Sequence, residues 1–201
     1  MTREFVYFSS KATTSGGALS GNKGSVDLMK AGRMDIAIHS LISAFFLSHD
    51  IRKDVRMHLV FYGMPDPPKH IEIEYHKDLP LNKRDVANLL RKILYKYKPG
   101  VKNNPIPGCF IEKKSFLDIL NELVKEGKEI YILDKNGEDI RETDFNESST
   151  PVFILGDHEG LPKKEIKRLK DIANKVSIGP KMYFASQTIA IVNNELDRRG
   201  I

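Results

Sequence analysis

The sequence predicts an α/β domain in which a mostly parallel sheet is flanked by helices. Three observations carry this. Short apolar runs alternate along the chain with longer segments whose apolar residues repeat at spacings of three and four, the pattern of parallel strands joined by crossover helices. Two of the runs, Pro151 to Leu155 and Lys175 to Ile178, each lead into a glycine-bearing loop and then a helical segment. No internal repeat or composition break divides the 201 residues, so one domain spanning 1–201 is expected.

Each element follows from local pattern. Glu4 to Phe8 is a first strand, with Phe5, Val6, Tyr7 and Phe8 in succession. Ser9 to Ser25 is rich in Ser, Thr, Gly and Lys with almost nothing to bury, so it reads as a mobile flap or as plain disorder. Arg33 to His49 is a helix through Met34, Ile38, Leu41 and Phe45. Arg56 to Tyr62 is a strand, and Asp66-Pro67-Pro68 a turn. His70 to Tyr75 alternates Ile71, Ile73 and Tyr75 on one face and reads as an edge strand. Asn82 to Tyr97 is helical, with Asn82 as its cap. Pro99 to Gly108, with three prolines, reads as a loop, and Cys109 to Glu112 as a short strand.

Ser115 caps a helix that runs to Glu126 through Phe116, Ile119, Leu120 and Leu123. Glu129 to Leu133 is a buried strand, Lys135-Asn136-Gly137 a turn, and Asp139 to Phe145 a short paired segment. After the strand Pro151 to Leu155, Pro162 opens a helix to Ala173. Lys175 to Ile178 is the last strand. Phe184 to Arg199 is the last helix, with Ile189, Val192 and Leu196 facing inward.

Composition narrows the class. Hydrophobic residues make up 40% and charged residues 29%, as in a globular protein with a packed core. A net charge of +5 favours a polyanionic partner. Basic segments at Arg52 to Arg56 and Lys163 to Lys170 are either part of that surface or simply solvated element ends. Cys109 is the single cysteine, so an internal disulfide and a thiolate zinc site are both excluded, in keeping with a reducing cytoplasm. The start Met-Thr-Arg-Glu has no secretory pattern, and the most apolar helix carries Arg33, Asp35 and His39, too polar and short for a membrane.

Three groups of residues could carry chemistry. Gly156-Asp157-His158-Glu159-Gly160 follows a buried strand. It matches neither a dinucleotide fingerprint nor a phosphate loop. Its acids would repel phosphates and suit a cationic or hydroxylated ligand; the alternative is an ordinary strand-to-helix turn. Asp35, His39 and Ser43 form one stripe of the first helix, with Arg33 at its start. Asp35 is then either a partner of the helix dipole or an acid/base group beside a cation. The six histidines show no H-x-x-x-H or H-E-x-x-H spacing, so no metal is expected. No G-x-S-x-G elbow occurs, and nothing around Cys109 marks it as a nucleophile.

On these residues the chain resembles a known family. FILGDHEGLPKKE and SIGPKMYFASQTIAIVNNELD resemble the SPOUT-class RNA methyltransferases with a trefoil knot. GRMD at Gly32 to Asp35, AFFLSHDIRKDV at Ala44 to Val55, LVFYGMPDPP at Leu59 to Pro68 and IYILDKNGED at Ile130 to Asp139 resemble the archaeal tRNA pseudouridine-54 N1-methyltransferases. The likeness covers nearly the whole chain in order. The KMYFASQ end is shared with a related bacterial group.

The resemblance implies a C-terminal trefoil knot over about 128–201, an exception to unknotted folding, and an N-terminal part over about 1–110 carrying the flexible loop and edge strands. It implies S-adenosylmethionine bound by Leu133, Leu155, Gly156, Ile178, Gly179, Pro180, Met182 and Thr188. Thr188 stands where the archaeal members commonly have cysteine. A homodimer, with the first and last helices near the partner, and a tRNA substrate are also implied. Asp35 would accept or orient the N1 proton of pseudouridine, and Arg33 would stabilise the anionic base or hold a phosphate. Two rivals remain. One is a methyltransferase acting on rRNA pseudouridine or another RNA base, which should show a larger basic surface or an extra RNA-binding insertion. The other is a non-catalytic RNA-binding knot protein, which should have lost the glycine loops.

Overall fold

A single eight-stranded sheet organises the chain, in the order β4-β5-β3-β2-β1-β7-β6-β8. The structure, a computed structural model, describes residues 2–20, 27–146 and 148–201. The strands are β1 (Arg3–Ser9), β2 (Val55–Phe61), β3 (Lys69–Glu74), β4 (Asn103–Ile106), β5 (Cys109–Glu112), β6 (Glu129–Asp139), β7 (Pro151–Gly156) and β8 (Ala173–Ser177). The helices are α1 (Met34–Phe45), α2 (Val86–Tyr95), α3 (Phe116–Lys125), α4 (Lys163–Arg168) and α5 (Ala185–Arg199). β2, β1, β7, β6 and β8 pair in parallel, while β3, β5 and β4 add an antiparallel extension beyond β2. The sheet is therefore mixed, with a parallel half and an antiparallel margin.

Alternation along the strands makes two cores. Phe5 and Tyr7 of β1 face one side with Met57, Leu59 and Phe61, and α1, α2 and α5 cover them through Met34, Leu41, Leu90, Ile93, Ile189, Val192 and Leu196. Val6 and Phe8 face the other side with Val152 and Ile154, beneath Phe116, Leu120 and Leu123 of α3. β1 and β7 bury both faces, which is why they read as unbroken apolar runs. Ser115 caps α3 as expected, its hydroxyl accepting from the Asp118 amide at 3.2 Å.

Several expectations change. β3 is not an edge strand: it lies between β2 and β5. Its alternation comes from a face covered by polar side chains rather than from an open margin. The Pro99 to Gly108 segment contains β4, with Pro105 tolerated because β4 is itself the edge. Lys135-Asn136-Gly137 is not a reversal. β6 continues through it, with a register shift against β8 between Leu133 and Glu138. Three helices are shorter than their patterns. α1 ends at Phe45, where Phe46 turns extended and bridges to Ile51. α2 starts at Val86 after Asp85, not at Asn82. α4 has only six residues.

The proposed flap is packed where it is described. Ala12, Thr13, Thr14 and Leu19 are buried, and Gly17–Leu19 form one 3-10 turn. Thr14 Oγ1 donates to the Gly63 carbonyl at 2.9 Å. Small polar residues here are buried by hydrogen bonding, which an apolar-content argument overlooks. Residues 21–25 of that segment lie outside the described residues.

Candidate functional site

The carboxyl ends of β6, β7 and β8 open into one cleft of ≈ 440 Å³. That is where ligands bind in open α/β sheets. Leu133, Leu155, Val176 and Ile178 form its apolar floor, Asp134, Asp157 and Glu159 its acidic rim, and Tyr183, Phe184 and Thr188 the wall from α5 and the loop before it. Ile36 of α1 completes it. Seven of the eight residues expected to hold a ligand line this cleft: Leu133, Leu155, Gly156, Ile178, Gly179, Met182 and Thr188. Pro180 does not; it shapes the loop between Gly179 and Lys181.

The two glycines differ in what they do. At Gly156 a Cβ would stand 2.3 Å from the Gly160 carbonyl carbon, so this glycine lets its own loop close tightly. At Gly179 φ is +134°, and nothing but the Tyr183 ring at 3.9 Å approaches a Cβ. Gly179 therefore needs its backbone freedom and leaves open space toward the cleft.

The acidic loop is anchored from behind. Asp157 Oδ2 accepts from Ser9 Oγ at 2.7 Å and Oδ1 from the Glu159 amide at 2.9 Å. Glu159 accepts from Ser10 Oγ at 3.0 Å and pairs with Lys11. Both hold it below the usual carboxylate range, Lys11 first. These acids bind the loop after β1 as well as edging the cleft, a double duty that sequence reasoning missed because the partners lie about 150 residues away, beyond any local pattern. Lys175 Nζ meets Asp134 Oδ2 at 2.7 Å and keeps it ionised. Beneath them Tyr7 has no exposure, and its hydroxyl has no hydrogen-bond partner among the described residues. Burial, then the Asp157 charge, push its pKa up, so it stays a neutral phenol.

Arg33 and Asp35 come together as a bidentate pair: Nε to Oδ1 at 3.0 Å and Nη2 to Oδ2 at 2.9 Å. The Arg33 guanidinium holds the Asp35 carboxyl below its usual 3.8. Neither lines the cleft, although the next residue, Ile36, does. Arg33 is left-handed at φ 63°, alone among described non-glycine residues. Such a backbone costs of order 1–3 kcal/mol and persists only where surroundings impose it. Gly32 sits against the Lys11 carbonyl, where any Cβ would clash at 1.7 Å. That contact fixes the entry to α1 and aims the pair. His39 and Ser43, on the same stripe, make no such pair, and His39 is exposed.

A cationic, adenosine-sized ligand fits these residues. The floor is apolar, the rim carries Asp134, Asp157 and Glu159 against Lys135 and Lys181, and Gly179 leaves its side of the cleft clear. Met182 and Phe184 are 84% and 77% exposed at the mouth.

Comparison with known proteins identifies the family. Residues 2–201 match the protein family described as "Putative SAM-dependent RNA methyltransferase". The tRNA (pseudouridine(54)-N(1))-methyltransferase of Methanococcus aeolicus is 41% identical over 97% of this chain and 97% of its own. That of Methanocaldococcus jannaschii is 35% identical over 99% and 98%. Among solved structures, Archaeoglobus fulgidus Nep1 bound to S-adenosylhomocysteine superposes with a TM-score of 0.64, at 15% identity over 100% of both chains. At that identity the likeness speaks for the fold.

Proposed function

The chain belongs to this family of SAM-dependent RNA methyltransferases, and from that premise we propose that it methylates N1 of pseudouridine 54 in tRNA. Identity of 41% across 97% of both chains is the observation that carries the reading. Leu133, Leu155, Gly156, Ile178, Gly179, Met182 and Thr188 would hold S-adenosylmethionine, with Pro180 setting the loop. Bound there, the cofactor supplies an electrophilic methyl group on a sulfonium.

The protein's part is positioning and control of one proton. N1 of pseudouridine is an imide-like N–H that becomes nucleophilic when it loses its hydrogen. Asp35, kept ionised by Arg33, accepts a hydrogen bond from N1–H and draws the proton away. A carboxylate held below its usual 3.8 is a weak base, so its larger share is orientation of the base. Arg33 stabilises the negative charge that develops on the ring. For N1 to reach the cleft, the nucleotide leaves its stack. The apolar floor keeps water from one side of the methyl group.

The finer architecture is read in the same way. A C-terminal trefoil knot is the reading that the family resemblance implies; α5 packs back onto α1 and β1 through Asn193 Nδ2 to the Ser43 carbonyl at 3.2 Å and Arg3 Nη1 to the Asn193 carbonyl at 3.1 Å. Exposed Met182 and Phe184 support a homodimer that covers them. A cytoplasmic setting goes with a tRNA substrate; no described helix is long and apolar enough to cross a membrane. The test is a methylation assay on two transcripts, one with pseudouridine and one with uridine at position 54, read by nucleoside mass spectrometry. N1-methylpseudouridine is expected from the first only. No product from either, with cofactor bound, overturns the reading.

A further inference from the structure

The sheet brings together two histidines that stand twelve residues apart in the chain. The antiparallel register sets His58 opposite Glu72 and Val60 opposite His70, so the two rings are diagonal neighbours on the face away from α1. They stack with centroids 5.2 Å apart and planes at 14°. His58 Nδ1 lies 2.9 Å from His70 Nε2. Each outer nitrogen meets a carboxylate: His58 Nε2 at 3.2 Å from Glu4 Oε2, His70 Nδ1 at 3.0 Å from Glu112 Oε1. Both histidines are 3% exposed. Local spacing along the sequence gives no hint of this cluster, because it is made by strand pairing.

Counting hydrogens shows that something is needed between the rings. Glu4 also meets Lys128 Nζ at 2.8 Å and Glu112 meets Lys114 Nζ at 3.0 Å, so both groups sit in ion pairs as carboxylates. An ionised carboxylate only accepts, so each outer nitrogen carries the hydrogen. A neutral imidazole has one hydrogen, which leaves both inner nitrogens facing each other as lone pairs. In a buried site that arrangement repels unless a cation lies between them. The Glu72 carboxylate adds a third donor, all three ligand atoms falling within 4.8 Å of one another. Imidazoles backed by carboxylates at the outer N–H are how proteins orient histidine ligands on a metal.

We propose that His58, His70 and Glu72 bind a divalent transition-metal ion of the zinc or cobalt class, oriented by Glu4 and Glu112. The site spans β1, β2, β3 and β5, so the ion clamps the antiparallel extension to the parallel half. Two nitrogens and a carboxylate oxygen suit such an ion. Tetrahedral Zn–N bonds of about 2.0–2.1 Å set two nitrogens about 3.3 Å apart, so the rings must open by about 0.4 Å, a small side-chain rotation. One competitor stands in the way. Lys102 Nζ lies 2.6 Å from Glu72 Oε2, whereas Arg56 Nε is more loosely placed at 3.6 Å from Oε1. Lys102 is 40% exposed and free to turn into solvent. The ion displaces it, while Lys114 and Lys128 stay on Glu112 and Glu4, and Arg56 on Glu74.

Chelator-treated full-length protein titrated with Co2+ tests this. One equivalent is expected to bind, to give a visible d–d absorption band and to raise the melting temperature. Lys102→Met, a surface change, removes the competitor and should tighten binding about twofold to fivefold, the worth of a partly exposed ion pair. His70→Gln should weaken it by about tenfold or more, and His76→Gln, an exposed control, should leave it alone. No uptake by the wild type, or binding that survives His70→Gln and ignores Lys102→Met, overturns the proposal. An imidazole proton shared by both rings in the nuclear magnetic resonance spectrum of Co2+-exposed protein would overturn it too, since the cation between the rings would then be a proton.

Discussion

Asp35 and Arg33 show how much one ion pair can decide. Asp35→Asn keeps size and shape but removes the charge that receives the proton, so the methyl-transfer rate should fall by on the order of a hundredfold or more. Cofactor affinity should stay within about threefold, under roughly 0.7 kcal/mol, because neither residue lines the cleft. A wild-type rate in the mutant would reduce Asp35 to a helix-start carboxylate. The pair also fixes a pH dependence. Asp35 is depressed below 3.8 by Arg33, so its ionised form persists as pH falls to 3.8 and is lost only below it. Arg33→Met removes the guanidinium, and the acid limb of the rate profile should then move upward, toward neutral pH. An unmoved limb would mean that another group controls it. The glycines separate by the same kind of reasoning. Gly179→Val meets open cleft at a strained φ and should abolish S-adenosylmethionine binding measured by calorimetry. Gly156→Val meets Gly160 backbone first, so it should lower the melting temperature before it reports on any ligand. The reverse order would transfer the cofactor contact to Gly156.

At the scale of elements, the parallel half was legible in the sequence and the antiparallel margin was not. β1 and β7 announce themselves because two-sided burial leaves apolar runs, and α3 and α5 because one apolar stripe faces the core. The alternation in β3 was equally clear, but alternation cannot distinguish a solvated face from one whose acids pair with Arg56 and Lys102. The site divides along the same line. The strand-end loops could be found from glycines after apolar runs. The latch of Asp157 and Glu159 onto Ser9, Ser10 and Lys11 could not, since β1 and β7 become neighbours only by pairing. The same margin disposes of Cys109. In β5 it is fully buried, and burial pushes its thiol up to about 12. The native protein should resist iodoacetamide at pH 8 and label after unfolding. Rapid labelling of folded protein would show that β5 opens.

On the scale of the whole molecule, the net charge of +5 is distributed unevenly between structural pairs and free cations. The Arg52 to Arg56 segment looked basic in sequence, yet Arg52 is spent on Asp197, and Arg56 on Glu4, Glu72 and Glu74. The α4 segment differs. Lys163, Lys164, Lys167 and Lys170 are exposed, and no ion pair engages them among the described residues. They follow the Gly156–Gly160 loop that edges the cleft, so phosphates held there would lie beside the site. If tRNA binding neutralises about four to six phosphates, affinity should drop roughly a hundredfold or more over a fourfold rise in salt. Each α4 lysine that meets a phosphate contributes about one unit of that slope. The double change Lys163→Glu and Lys167→Glu should therefore weaken tRNA binding and flatten its salt dependence while sparing cofactor affinity. Arg52→Glu should instead lower the melting temperature, because it sets two carboxylates against each other between the α1–β2 loop and α5. Binding measured by filter retention at several salt concentrations separates the two. A salt-independent affinity, or an unchanged slope in the α4 variant, would move the RNA to another face.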